Sequence, residues 1–155
     1  MQMRIAQVAV GSLESQRWRN AHMKWTQAEK AFVEPQRVAR LATVDAGGIP
    51  HNVPICPLFL EGKIYLGTAA DARKVRNIQS NADVAIVFDD YCEAWGHLRG
   101  IMVQGRARIL GAQDFRRMRK KLYAKYHLYE TAAPLDDDGS AIVEISPAKK
   151  FSWGL

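Results

Sequence analysis

The residues best suited to hold a ligand lie together in the segment Gly67-Thr68-Ala69-Ala70-Asp71-Ala72-Arg73-Lys74-Val75-Arg76-Asn77-Ile78. An extended stretch ends at Thr68, a short helical pattern follows, and Asp71 is placed to cap it. Arg73 and Lys74 then fall in the first turn, where the helix dipole favours acidic side chains. A guanidinium that grips two oxygens, an ammonium beside it and the free amides of a helix N-terminus together suit a monophosphate. The plain alternative is a surface helix that happens to be basic, and the segment alone leaves both readings open.

Elsewhere the side chains capable of catalysis stand apart. His22, His51, His97 and His127 are isolated, so structural or solvated roles are expected of them. Asp89, Asp90 and Glu93 form an acidic turn without metal-ligand spacing, and no metal site is expected. Cys56 and Cys92 are too few for a disulfide framework and read as reduced structural thiols. A net charge of +6 admits an anionic partner without naming it. The most basic run, FRRMRKKLYAKY, sets Phe115, Met118, Leu122, Tyr126 and Tyr129 on one helical stripe and the cations on the other. Because the aromatics lie on the apolar stripe, a solvated amphipathic helix is expected and nucleic-acid binding is not.

These segments need a scaffold, and 155 residues supply one globular domain. With 48% hydrophobic and 25% charged residues, disordered, fibrous and disulfide-rich classes are excluded. No apolar run approaches the roughly 20 residues that span a bilayer, so no membrane partner and a cytoplasmic location are expected. Residues 13–33 have helical spacing, with Trp18, Trp25 and Phe32 seven apart, and Pro35 ends the pattern. An N-terminal helical extension over 1–36 and a barrel over 37–155 are expected within one domain. Strand patterns follow at 37–44, 51–60 and 63–68 in meander order, then at 82–90, 99–110 and 141–146. Gly105 marks a candidate bulge in the fifth, and Pro54 and Pro57 mark an edge in the second. A mainly β fold follows, a six-stranded antiparallel barrel with helices outside.

The succession RVARLATVDAGGIPHNVPICPLFLEGKIYLGTAADARKVRNIQSNADVAIVFDD, then GIMVQGRARIL, then VEISPAKKFSW resembles the pyridoxamine-phosphate-oxidase-like family of flavin-binding split barrels. Its diagnostic pieces are Leu-Ala-Thr in the first strand, the Gly-x-Pro-His turn, the strand ending in Thr68, the Arg-Lys pair ahead of Asn77, and V-x-G-x-A from Val103 to Ala107.

The resemblance implies a homodimer of split barrels with two flavin sites at the subunit interface. It implies that Arg73 and Lys74 hold the FMN phosphate, that Asn52, Val53, Pro54 and Ile55 run along the isoalloxazine ring, and that Gly67 and Thr68 line the ribityl chain. Asn77 is a further cofactor candidate, equally suited to capping or bridging backbone. Arg99, Gly100 and Trp153 would reach the ring from the partner chain, Trp153 being equally suited to a core role at a dimer interface. Three departures bear on function. The chain stops two residues after Trp153, where oxidases of pyridoxamine phosphate carry an Arg-x-His element, so that specific activity is not expected. Asn52 replaces the arginine those oxidases place at the start of the ring strand, as in branches that include deazaflavin-dependent reductases. FDDYCEAWGHLRG resembles a subgroup with an acidic, Trp-containing loop. The expected function is an FMN-dependent oxidoreductase moving hydride to or from a small substrate, with a nicotinamide donor or dioxygen. The alternatives are a deazaflavin-dependent reductase and a flavin- or haem-binding module without turnover.

Overall fold

The computed structural model describes residues 23–155. The first described helix, α1, spans Gln27–Val33. It starts abruptly because Thr26 and Glu29 close a capping box: the Glu29 amide donates to the Thr26 hydroxyl at 3.1 Å and the Thr26 amide donates to the Glu29 carboxylate at 2.8 Å. The expected helix over 13–33 is therefore corrected within the described residues to begin at Gln27; residues 13–22, Trp18 among them, lie outside those residues. Trp25 precedes the helix, packing edge-on to Phe59 and donating its indole N–H to the Gly62 carbonyl at 3.1 Å.

Seven strands follow: β1 Ala39–Val44, β2 Pro50–Ile55, β3 Leu58–Leu60, β4 Lys63–Ala69, β5 Asp83–Asp90, β6 Arg99–Ile109 and β7 Ser140–Trp153. All ladders are antiparallel, and the sheet order is β2-β1-β5-β6-β7-β4-β3. The described residues form a mainly β half-barrel with three α-helices, as expected in class, but with seven strands and not six. The extra strand arises at Cys56-Pro57, where the expected 51–60 strand breaks. Its halves lie at opposite ends of the sheet order, so the meander is corrected too. Pro54 does lie on an edge strand, as its missing N–H requires.

The last strand is 14 residues long and runs through Pro147. Register slips between Gln104 and Gly105, where Gly105 faces Pro147 and Gln104 faces Lys149. Ala148 is thus the extra residue of a bulge, and a Cβ on Gly105 would collide with the Ser146 carbonyl. The bulge expected at Gly105 is present, and it is also what lets a proline sit inside β7.

Two apolar clusters occupy the two faces of the sheet. The barrel interior holds Phe32 and Val33 of α1 with Leu41, Ile64, Leu66, Ile86, Phe88, Ile101, Val103, Val143 and Ile145. The opposite face of β3, β4 and β7 is covered by α3, Ala112–Lys125, through Phe115, Met118 and Leu122 against Tyr65, Leu135 and Ile142. The stripe read from the basic run is therefore a packing face, with Tyr126 just past the helix end and Tyr129 in a 3-10 turn at His127–Glu130. The remaining helix, α2 at Arg73–Ser80, buries Val75 and Ile78 and packs against β1 and β6.

Candidate functional site

The helix α2 begins without a side-chain cap: Ala72 occupies the N-cap, correcting the expectation for Asp71. Its first turn has no acidic residue, and Arg73 and Lys74 fill it. Lys74 is half-buried, and its ammonium donates to the Thr68 hydroxyl at 3.0 Å. Burial pulls its pKa below the ordinary lysine value. Arg73 is exposed and reaches Asp45 at 3.4 Å. Asp45 also accepts the amides of Gly47 and Ile49, each at 2.9 Å, so one carboxylate shapes the β1–β2 turn and steadies Arg73. The Ile49 amide, then that of Gly47 and the Arg73 charge, hold its pKa below the usual carboxylate range.

Asn77, one turn further on, is buried and donates to the Thr43 hydroxyl at 2.9 Å. It ties α2 to β1 side chain to side chain, and is aimed into the fold. Thr43 faces His51 across the β1–β2 ladder, so the helix end, the turn and the start of β2 form one assembly.

Asn52, Val53, Pro54 and Ile55 lie along β2, the edge strand. In an antiparallel edge strand alternate residues turn their N–H groups off the sheet, and proline is tolerated at those positions. Pro50 and Pro54 share that phase with Asn52. The Asn52 amide is therefore the one N–H donor directed off this edge between the two prolines. Val53 and Ile55 point inward, Ile55 being buried.

Gly67 and Thr68 lie in β4 beside Lys74. Gly67 has a packing reason to be glycine, since a Cβ there would come 2.6 Å from Leu135 Cδ1. Gly100 likewise makes room for the indole of Trp153, its partner across β6 and β7. Arg99 is paired with Asp90 at 2.9 Å and lies over the Phe32 ring at 5.2 Å. In the register, Arg99, Gly100 and Trp153 join the end of β5 at Asp89 and Asp90, whereas Arg73 joins the far end of β1. Within one chain Arg73 and the Arg99, Gly100 and Trp153 group thus lie at opposite ends of the same strands, and Asn52, Val53, Pro54 and Ile55 span the interval between them along β2. Asn52, Ala42, Ala85, Gln104 and Lys149 form one cross-strand row on the outer face, and Pro54, Arg40, Val87, Met102 and Phe151 the next. No described helix covers these rows, and Phe151 is 64% exposed.

Clefts lie at other places. One of about 680 Å³ is lined by Asp89, Asp90, Tyr91, His97 and Arg99, and a neighbour of about 330 Å³ shares Arg99 and Gly154. Another, of about 360 Å³, lies between Arg37, Cys56 and the Tyr126–Tyr129 turn. Among the described residues no group of three or more histidine, cysteine or acidic side chains could hold a metal ion. No described helix is long and apolar enough to cross a membrane.

The family profile described as pyridoxamine 5'-phosphate oxidase matches residues 25–154. This chain belongs to the pyridoxamine 5'-phosphate oxidase family. The 5a,11a-dehydrotetracycline/5a,11a-dehydrooxytetracycline reductase of Streptomyces rimosus is 39% identical over 94 residues, 57% of this chain and 66% of that protein, just under two thirds of its length. A conserved hypothetical protein from Mycobacterium tuberculosis has the same fold, with a TM-score of 0.70 at 24% identity over 84% of this chain and 86% of its own. An F420 reductase gives 0.67 at 20% identity, covering 82% of this chain and 98% of its own.

In this member of the pyridoxamine 5'-phosphate oxidase family, sequence alone does not assign Asp45 and Leu135 any part in the site, nor Thr43 its bond to Asn77, nor Tyr126 and Tyr129 their place beside a cleft. Asp45-x-Gly47 was a readable turn signal, since aspartate two residues before glycine accepts the amides beyond it. Leu135 had no local signal, because it meets Gly67 only after the chain has crossed α3.

Proposed function

We propose that the protein is an oxidoreductase that binds FMN and transfers hydride to or from a small organic substrate. The observation that carries this reading is Lys74: a half-buried ammonium beside an uncapped helix N-terminus, with a hydroxyl as its hydrogen-bond partner. Such a cation suits a phosphate, and Arg73 stands beside it. The chain's residues therefore fit the flavin phosphate. Thr68 would adjoin the ribityl chain, and the Asn52 amide would meet a polar edge of the ring along β2. When bound, the flavin supplies the hydride-accepting and hydride-donating centre. The protein's part is to hold the phosphate, orient the ring and keep water from one of its faces.

The separation of Arg73 and Lys74 from Arg99, Gly100 and Trp153 at the other end of the strands supports a homodimer, in which Arg99, Gly100 and Trp153 of one chain complete the site of the other. The uncovered rows offer it a mixed face, with Ala42, Val87, Met102 and Phe151 set among Arg40, Gln104 and Lys149. A nicotinamide donor, a cytoplasmic setting and a barrel over 37–155 with an N-terminal extension belong to the same proposal. A deazaflavin with a longer anionic tail is the second reading. Arg76 favours it, an exposed guanidinium one turn beyond Arg73, as does the likeness to an F420 reductase.

The test is the visible spectrum of the purified protein, with mass spectrometry of any small molecule released on denaturation and titration of the stripped protein with FMN and with F420. Flavin bands and an FMN mass are the expected result. Failure to bind either cofactor overturns the proposal.

A further inference from the structure

The cleft between Arg37, Cys56 and the turn carrying Tyr126, His127, Leu128 and Tyr129 has features of a ligand site that the flavin reading leaves unused. Its volume of about 360 Å³ lies at the lower end of the range for small-molecule pockets. Its wall is aromatic: Tyr126 meets Tyr129 edge-on at 5.9 Å, and Tyr123 stacks behind Tyr129 at 6.4 Å. These rings are fixed from behind, because the Tyr126 hydroxyl donates to the Pro57 carbonyl at 2.7 Å. Lys125 likewise donates to the carbonyls of Glu34, Gln36 and Pro57 at 3.0, 2.7 and 2.8 Å. The ammonium is thus committed to backbone, and the lining cation available to a ligand is Arg37. It is exposed, and among the described residues it forms no ion pair; its guanidinium rests 4.8 Å from the Tyr126 ring centre. At the rim Leu128 is 75% exposed, an apolar side chain presented to water.

An apolar, ring-lined cavity with one unpaired guanidinium at its mouth selects a ligand with an apolar body and one anionic head. Position connects it with the chemistry. Pro50 at the start of β2 lies near Arg73 through the Asp45 turn, and Cys56 immediately follows the strand's other end, roughly 16 Å away at about 3.3 Å per residue. The cleft therefore adjoins the end of the ring strand that is remote from the phosphate. We propose that this cavity binds the substrate, a small organic acid with an apolar, preferably aromatic, body in the tyrosine-lined cleft and its carboxylate on Arg37. The assignment to substrate rests on β2 being the ring strand; the site itself does not.

The test is calorimetric titration of the protein with 2-naphthoate and with the neutral 2-naphthalenemethanol, in parallel with FMN. One naphthoate per chain is expected, bound more tightly than the alcohol. Arg37→Gln should weaken naphthoate by about tenfold and leave the alcohol unchanged, since a charge-assisted bond is lost and the cavity kept. Ala132→Phe, which fills the cavity, should remove both. In a Cys92→Ser background, naphthoate should slow alkylation of Cys56. No binding by the parent protein, equal affinity for acid and alcohol, or an Arg37→Gln variant with unchanged naphthoate affinity would overturn the site. Naphthoate binding with the expected charge dependence, in a protein that takes neither FMN nor F420, would refute the flavin reading and leave the site standing.

Discussion

Replacing Lys74 by alanine should weaken FMN far more than replacing Arg73, although the two are neighbours in sequence. Lys74 is partly desolvated and held by the neutral Thr68 hydroxyl, so phosphate would be its first anionic partner. A charge-assisted hydrogen bond in such a setting is worth about 1.5–3 kcal/mol, and a central value near 2 means a loss of roughly 30-fold. Arg73 has a side chain 49% exposed and already shares Asp45 at 3.4 Å, so binding phosphate exchanges one weak pair for another. Solvent-screened pairs of this kind contribute about 0.2–1 kcal/mol, or up to roughly fivefold. The assay is flavin fluorescence quenching on titration of the stripped protein, with riboflavin as the control that lacks the phosphate. Lys74→Ala should erase most of the preference for FMN over riboflavin, while riboflavin affinity stays the same. Equal losses for both ligands, or a larger effect at Arg73 than at Lys74, would refute the reasoning from burial.

Asn77→Leu should destabilise the protein by about 1–3 kcal/mol in urea unfolding, because Thr43 loses its buried donor, and should weaken FMN only through the displaced helix. Gly67→Val should cost several kcal/mol or prevent folding, since its branched side chain meets Leu135 within the second core; recovery in Gly67→Val with Leu135→Ala would confirm the contact. Burial raises the pKa of Glu144, but hydrogen bonds from Arg108, Lys63 and Tyr65 outweigh it and leave the group below its ordinary 4.5. The sign follows: its contribution is present above pH 4.5 and is lost as pH falls through the lowered folded value, so Glu144→Gln should flatten the acid limb of the stability profile. Phe151→Asp, on the uncovered sheet face, should turn a dimer into monomers by light scattering, with loss of flavin.

Strand positions and phases were legible because β1, β4, β5 and β6 alternate or run apolar as strands must, and Gly105 announced its bulge. What escaped had a common physical origin in contacts remote along the chain. Pro147 ends a strand when only local rules are applied, yet here it occupies a bulge opposite Gly105, and β7 continues through it for six more residues. Pro57 was read as an edge signal inside one strand, whereas it marks where the chain leaves β2 and starts again at the other end of the sheet. The same division governs the candidate site. Arg73 and Lys74 were readable because their type contradicts the local helix dipole. Gly67 and Gly100 look like positions cleared for a ligand, but Leu135 and Trp153 fill the space beside them. A glycine in a strand signals close approach without saying what approaches, so the stronger evidence for a ligand lies where a charged group is buried and lacks an opposite charge. By that criterion Lys74 outranks every glycine in the segment. Arg37 is exposed and does not meet that criterion, so the signal for a second bound molecule is the apolar, tyrosine-lined cleft it borders, where it forms no ion pair among the described residues.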